Sequence, residues 1–466
     1  MNLALLLVAL TTSYSVQAGS CFSGPILPPT VQGSSSSGRN ATSQSNTHIQ
    51  LDIKITFGVV GVYAICQEHL IEKGTVFENH FVTSAICCPS RVSVLKGQFA
   101  HNTGFTDVFG LLLLNGYGVH NKEQIPKGWT EFDALVHPYI YDNFHPVFAK
   151  NGVISDYEGH FQLISRSSSG ALKTVDEKPF FLYLAPTAPH TEVLFNSQSK
   201  VEQIPGEKPY TPQIKFTEAV PASRHAELFP NVKIPRRENF NTADLRLWIT
   251  GTVNACGLSV CDELLDSVVN AVEAAGQGDN TFIFYSSDNG GPGVPREQCL
   301  AGAQNKAYAF DGSPIPIFAQ DAPQPNRESF ALFPIANGNE NIYRSVRLVS
   351  DKYSYLYTVW CTDHHELYDL KKDPQQLVNV YKSSPVSLIN RLDALLVVLK
   401  DCVGKECQSP WTKLHSDGSV KNFGQALDAK YDGLYQKTER LVISECLNGF
   451  FPANEKLVPA LHAHEE

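Results

Sequence analysis

The chain has 466 residues, a formal net charge of -10 and 42% hydrophobic residues. That length carries one large α/β domain plus a smaller one around an ample core. The acidic balance and the lack of any long Lys/Arg run argue against a nucleic-acid partner. No segment past the N-terminus stays apolar for the twenty or so residues of a helical membrane span.

Met1 to Leu10 is a short apolar run leading to Val16-Gln17-Ala18, which reads as a secretory signal peptide over 1–18, cleaved after Ala18. The expected location is therefore extracellular. Eleven cysteines on an oxidising route suggest disulfides, and Cys256 with Cys261 and Cys402 with Cys407 are near enough in sequence to close small loops. The count is odd, which a free buried thiol would also explain. Residues 19–48 are rich in Ser, Pro, Gly and Thr, read as a flexible leader, and carry the glycosylation sequon Asn40-Ala41-Thr42.

Asp52 to Tyr63 has the pattern of a first buried strand, Ile65 to Lys73 of a helix, and Gly74 to Phe81 of a short strand. Then comes Ser84-Ala85-Ile86-Cys87-Cys88-Pro89-Ser90-Arg91, with a thiol, a fixed turn, a hydroxyl and a guanidinium crowded together. Pro89 biases Cys88 away from helix, so a helix is expected to begin near Ser90 with its amide donors toward Cys87. Such an end favours anions and activates nucleophiles. A buried thiol pair or a disulfide partner is the plainer reading of the same residues.

Lys178 to Pro186 is an apolar strand ending at Ala188-Pro189-His190. Cys261 to Ala275 reads as an amphipathic helix stopped by Gly276, and Thr281 to Tyr285 as a strand ending at Ser286-Ser287-Asp288-Asn289-Gly290. Ligands gather beyond the carboxyl ends of strands in open α/β sheets, so both endings are placed for a site. A simple turn at Asp288-Asn289-Gly290 and a structural His190 are the bland alternatives. From about residue 341, Tyr343 to Val349 and Lys352 to Trp360 alternate like antiparallel strands, and Val386 to Lys400 is helical. The division expected is 49–340 for a main domain and 341–466 for a C-terminal subdomain.

The run Cys87-x-Pro89-Ser90-Arg91, completed by Leu95-x-Gly97, resembles the signature of the type I sulfatases, and the words around it resemble fungal-type arylsulfatases. His365 to Pro374 is similar to their C-terminal subdomain. The resemblance implies an alkaline-phosphatase-like α/β fold, with a mainly parallel central sheet covered by helices and a smaller antiparallel C-terminal sheet. It also implies hydrolysis of sulfate esters by formylglycine (3-oxoalanine), made from Cys87 by a formylglycine-generating enzyme. By the same resemblance Arg91, His190 and Lys306 serve the sulfate and its leaving oxygen, and Asp288, Asn289 and the modified Cys87 bind Ca²⁺. The expected substrate is a small-molecule or glycan sulfate ester.

The chain departs from the family in several places. Lys96 replaces the usual Thr before Gly97, and Gly291 to Val294 replaces a His-containing segment. The first strand lacks the Asp-Asp calcium pair, since Lys54 to Tyr63 holds no carboxylate, and no Gly-Lys segment lies between the signature and His190. A catalytically impaired or truncated sulfatase-like protein is therefore the alternative reading. A phosphate-ester hydrolase of the same superfamily and a structural secreted glycoprotein are further rivals.

Overall fold

The structure, a computed structural model, describes residues 4–10, 64–74, 84, 87–105, 118–119, 128–136, 139–142, 145–156, 180–188, 190, 192–195, 214–216, 222–225, 227, 253–287, 329–337, 341–447 and 451–461. The strands expected within 52–63 and 75–81, and the residues Asn40, Asp288, Asn289 and Lys306, lie outside these. Cys87 is placed by its backbone.

The N-terminal apolar run forms strand β1 (Ala4–Leu10). The same run is the expected secretory leader; seven residues of Ala, Leu and Val suit a signal h-region and a fully buried strand alike. A short helix α1 (Ala64–Cys66) widens into a π turn over Gln67–Ile71, and the signature lies on helix α2 (Cys87–Lys96), followed by α3 (Ala100–Thr103). Helix α2 begins at Cys87 rather than near Ser90. Pro89 therefore falls in the first turn, where its missing N–H costs nothing.

Strands β2 (Gly118–Val119), β3 (Asp133–Val136), β4 (Val147–Lys150) and β5 (Val153–Asp156) make a small mixed sheet. Asn151 and Gly152 turn β4 into β5 at φ 47° and 86°. An Asn-Gly pair is suited to that left-handed hairpin turn.

Strand β6 (Phe181–Leu184) precedes a hairpin of β7 (Val193–Phe195) and β8 (Ile214–Phe216), and helix α4 (Val253–Ala274) leads into β9 (Thr281–Ser287). Strands β6 and β9 pair in parallel with opposite sides of β1, Leu184 and Tyr285 both standing opposite Val8. Their carboxyl ends thus leave one edge of the sheet, about two strand spacings or roughly 9–10 Å apart.

Helix α4 starts eight positions ahead of its expected beginning and is buried along Cys261, Leu264, Leu265, Val268 and Val272, a helical spacing. It ends where Gly276 turns left-handed at φ 66°. This overturns the expected Cys256–Cys261 pairing. On one continuous helix their Cα atoms lie roughly 8–9 Å apart, beyond disulfide reach. Cys261, like Cys66, is a buried free thiol. Burial pushes both thiols well up, with the Asp262 carboxylate adding to it.

The C-terminal sheet runs β10 (Ser329–Asn337), β11 (Asn341–Val349), β12 (Ser354–Trp360), β13 (His365–Asp369), antiparallel throughout. Pro334 sits on the edge strand β10, where a missing donor is tolerated. The far edge, β13, is occupied by a turn. Asn379 Oδ1 accepts from Leu367 N at 3.0 Å, Asn379 Nδ2 donates to the His365 carbonyl at 2.9 Å, and Val380 N donates to the Leu367 carbonyl at 2.8 Å.

Helix α5 (Val386–Asp401) buries Leu392, Leu395, Leu396 and Leu399 in one core with Val346, Leu348, Tyr357 and Leu367 of the sheet, and Phe99 joins the same core. A hairpin of β14 (Glu439–Ile443) and β15 (Glu455–Pro459) closes the chain, tied to β11 by a buried Arg344–Glu455 ion pair. No helix among the described residues is long and apolar enough to cross a membrane.

Cys402–Cys407 forms the small loop expected, and Cys361–Cys446 is a second disulfide spanning 85 residues. By loop entropy the long bridge stabilises by about 4–5 kcal/mol and the short one by about 2. Cys361→Ser should therefore lower the urea midpoint of the oxidised protein distinctly more than Cys407→Ser.

Inside this core the Tyr357 hydroxyl donates to Asp393 Oδ1 at 2.7 Å and accepts from His365 Nδ1 at 3.0 Å. Burial pushes the Asp393 carboxyl up to about 7, against the opposing pull of Tyr357 and Arg440, and pushes His365 down to about 4. Between the ordinary carboxyl range and pH 7 the folded chain keeps a proton that the unfolded chain releases. This group's stabilisation is thus complete in acid, falls as pH rises through that window, and is flat above it. The thermal midpoint of Asp393→Asn should gain steadily on that of the wild type as pH rises from about 4 to about 7 and hold that gain to pH 8. A constant difference across that range would refute the assignment.

Candidate active site

Helix α2 has an inverted pattern: Ser90, Arg91 and Ser93 are buried, Arg91 to 1% exposure, while Leu95 stands 51% exposed. Burying a guanidinium and two hydroxyls while exposing a leucine works against folding stability, so the arrangement points to use rather than packing. Position 91 lies one turn beyond position 87 on the same helix face. A fixed positive charge is thereby held beside the residue that carries the expected nucleophile.

Lys96 is exposed in the last turn of α2, where a cation suits the carbonyl end of the helix dipole. Gly97 closes the helix at φ 62°, its N–H donating to the Ser93 carbonyl at 2.8 Å.

The arm after α2 is anchored on the C-terminal subdomain. His101 Nε2 lies 2.9 Å, and Asn102 Nδ2 2.7 Å, from the carbonyl of Cys402. His101, Cys402 and Cys407 also make the tightest metal-type grouping among the described residues, with ligand atoms within 4.8 Å of one another. Its two sulfurs are joined to each other, so it is a tether rather than a metal centre.

His190 lies where it was expected, just past β6, and is buried to 6% exposure. Its N–H donates to the Thr187 carbonyl at 2.8 Å, and the adjacent Ala188 carbonyl accepts from Cys261 Sγ of α4 at 3.2 Å. The next residue of α4, Asp262, accepts from the N–H groups of Ile65 and Cys66 at 3.0 and 2.8 Å. Burial raises the Asp262 carboxyl, and those two donors partly offset the rise. One helix thus holds both the His190 loop and the chain that leads into the signature.

Three features went unread in the sequence. Tyr141 stacks on His190, ring centroids 4.2 Å apart and planes at 22°. The signal for it is the aromatic stretch between Pro138 and Pro146, with Tyr139, Tyr141 and Phe144. Glu263 binds Arg224 and the buried His225, the latter at 2.5 Å. Burial raises the Glu263 carboxyl, but its hydrogen bonds and charge interactions with Arg224 and His225 outweigh it and leave it below its ordinary value. Asp262 gave no local cue, because its partners lie almost two hundred residues away.

Of the expected site residues, the structure places Arg91 and His190 as buried polar groups and Cys87 at the start of α2. Strand β9 ends at Ser287, at the sheet edge from which the His190 loop also departs; Asp288, Asn289 and Lys306 lie outside the described residues.

The Sulfatase family model matches residues 64–314. An arylsulfatase of Volvox carteri is 29% identical over 512 residues, covering 82% of this chain and 77% of the relative. An arylsulfatase of Chlamydomonas reinhardtii is 28% identical, covering 80% and 76%. Human N-acetylglucosamine-6-sulfatase is 23% identical, covering 73% and 81%. Among solved structures, BT4656 in complex with its substrate D-glucosamine-2-N,6-O-disulfate aligns with a TM-score of 0.54 at 15% identity, covering 90% of this chain and 99% of that one. That likeness concerns the fold, the alkaline-phosphatase-like α/β type expected from the sequence. The match to the family model spans more than half of the chain and includes α2, the His190 loop and β9, so the chain belongs to the sulfatase family of sulfuric ester hydrolases.

Proposed function

We propose that this protein is a secreted, glycosylated arylsulfatase that uses formylglycine made from Cys87. The observation that carries the reading is the burial of Arg91 one turn after Cys87 on an otherwise inverted helix, within a matched sulfatase domain. The algal arylsulfatase relatives support an aryl ester as substrate, and the N-acetylglucosamine-6-sulfatase relative makes a glycan sulfate the second class to assay.

Formylglycine supplies an attacking hydroxyl, and a divalent cation such as Ca²⁺ supplies charge against the sulfuryl oxygens. Asp288 and Asn289, next in sequence after β9, offer the hard oxygen donors such an ion takes. Lys54 to Tyr63 contributes no carboxylate to it. Arg91 holds the sulfate in register and neutralises it, and Lys306 adds a second cation. His190 delivers a proton to the leaving oxygen as the S–O bond breaks. The balanced reaction is a sulfate monoester plus water giving a phenol or alcohol plus hydrogen sulfate.

The test is hydrolysis of 4-nitrophenyl sulfate by protein secreted from cells that also express the formylglycine-generating enzyme. Turnover is expected, with a loss of about a thousandfold or more in Cys87→Ala. N-terminal sequencing of the same material should begin at Gly19, so that the mature protein lacks the strand Ala4–Leu10 that stands between β6 and β9 in the full chain. Absence of turnover while mass spectrometry finds an aldehyde at Cys87 would leave a degenerate sulfatase.

With the first-strand carboxylates missing, half-maximal activity should need free Ca²⁺ on the order of 0.1–1 mM, as in weak extracellular sites. Saturation at micromolar calcium would mean that other acidic residues complete the site.

A further inference from the structure

We infer that Tyr141 is a positioning residue for the hydrolysis, its stacked ring fixing the plane from which His190 gives up its proton. The inference rests on the role assigned to His190 above. An imidazole swings broadly about its last torsion, so direct ring contact is an effective way to aim its nitrogens. Tyr141 meets that need, with centroids 4.2 Å apart and planes at 22°.

Both partners are held from behind. Tyr141 ends the turn Tyr139–Tyr141, whose Ile140 is buried with Leu135 of β3. Asp142 N donates to the Tyr139 carbonyl at 3.2 Å, and the Asp142 carboxylate accepts from His145 N at 2.9 Å. On the other side the His190 backbone is pinned to Thr187, and Ala188 is pinned to α4. The stack therefore joins two fixed supports.

In the step concerned, the S–O bond breaks with its electron pair on the leaving oxygen. The proton passes from His190 to that oxygen, and the neutral imidazole is reprotonated from water. Poor leaving groups need this proton more than good ones do. Displacing the ring should therefore penalise esters selectively, whereas a general loss of structure would penalise all of them alike.

The experiment compares wild type, Tyr141→Phe, Tyr141→Leu, His190→Ala and the Tyr141→Leu/His190→Ala double variant on phenyl sulfate and 4-nitrophenyl sulfate. Tyr141→Leu should lower kcat about tenfold on phenyl sulfate and about twofold on 4-nitrophenyl sulfate, with KM little changed. Tyr141→Phe should restore both rates, and the double variant should be no slower than His190→Ala alone. Equal losses on the two esters, or additive losses in the double variant, would overturn the inference.

The ring geometry is read separately by NMR of histidine-labelled protein. The ring protons of His190 should move downfield when Tyr141→Leu removes the ring current, and unmoved resonances would overturn the stack itself. A wild type with no turnover but shifted resonances would overturn the hydrolytic role and leave the contact in place.

Discussion

The site depends on one carbonyl oxygen. Cys402 accepts both His101 and Asn102, residues of the arm that follows the signature helix, across some three hundred positions of chain. Phe99, two residues earlier, is buried in the C-terminal core with Trp411 and Phe423. An apolar anchor and a pair of hydrogen bonds thus fasten the signature to the far subdomain. The anchor excludes water from the joint, and the bonds fix its register. The Cys402–Cys407 bridge closes the loop that carries the accepting carbonyl, so the segment after the signature helix is seated on the C-terminal core.

The other half of the site hangs on α4. Through Cys261 and Asp262 it grips the His190 loop on one side and the chain at Ile65 and Cys66 on the other. Leaving either backbone segment without a partner would cost a buried hydrogen bond, so each polar contact here is also a constraint on geometry. A sulfatase needs its cation and its proton donor at set distances from a small tetrahedral anion. Two tethers, one on Cys402 and one on α4, are a direct way to meet that need.

How much of this was legible depended on whether the information was local. Strands β6 and β9 were readable because their apolar residues are consecutive, and β11 and β12 because theirs alternate. The inverted burial of α2 was readable only through the family signature, since composition alone would turn Leu95 inward. The start of α4 was missed because Gly257 and the polar residues around it dilute the apolar pattern, although tertiary packing carries the helix through. The Cys256–Cys261 pairing failed because proximity in sequence is not proximity on a helix. Tyr141 on His190, Asp262 on Cys66 and His101 on Cys402 join segments far apart in the chain, and no local pattern encodes such meetings. The opening run Ala4 to Leu10 illustrates the remaining ambiguity, because leader and buried strand draw on the same residues.

The turn carrying Asn379 has a consequence for the behaviour of the protein in solution. An exposed edge strand offers a row of open donors and acceptors on which another chain can template itself. Asn379 and Val380 occupy those groups at His365 and Leu367, and Pro334 interrupts the opposite edge. Strand addition to the C-terminal sheet is thereby hindered at β13 and interrupted at Pro334 of β10. Edges blunted in this way are a safeguard against self-association.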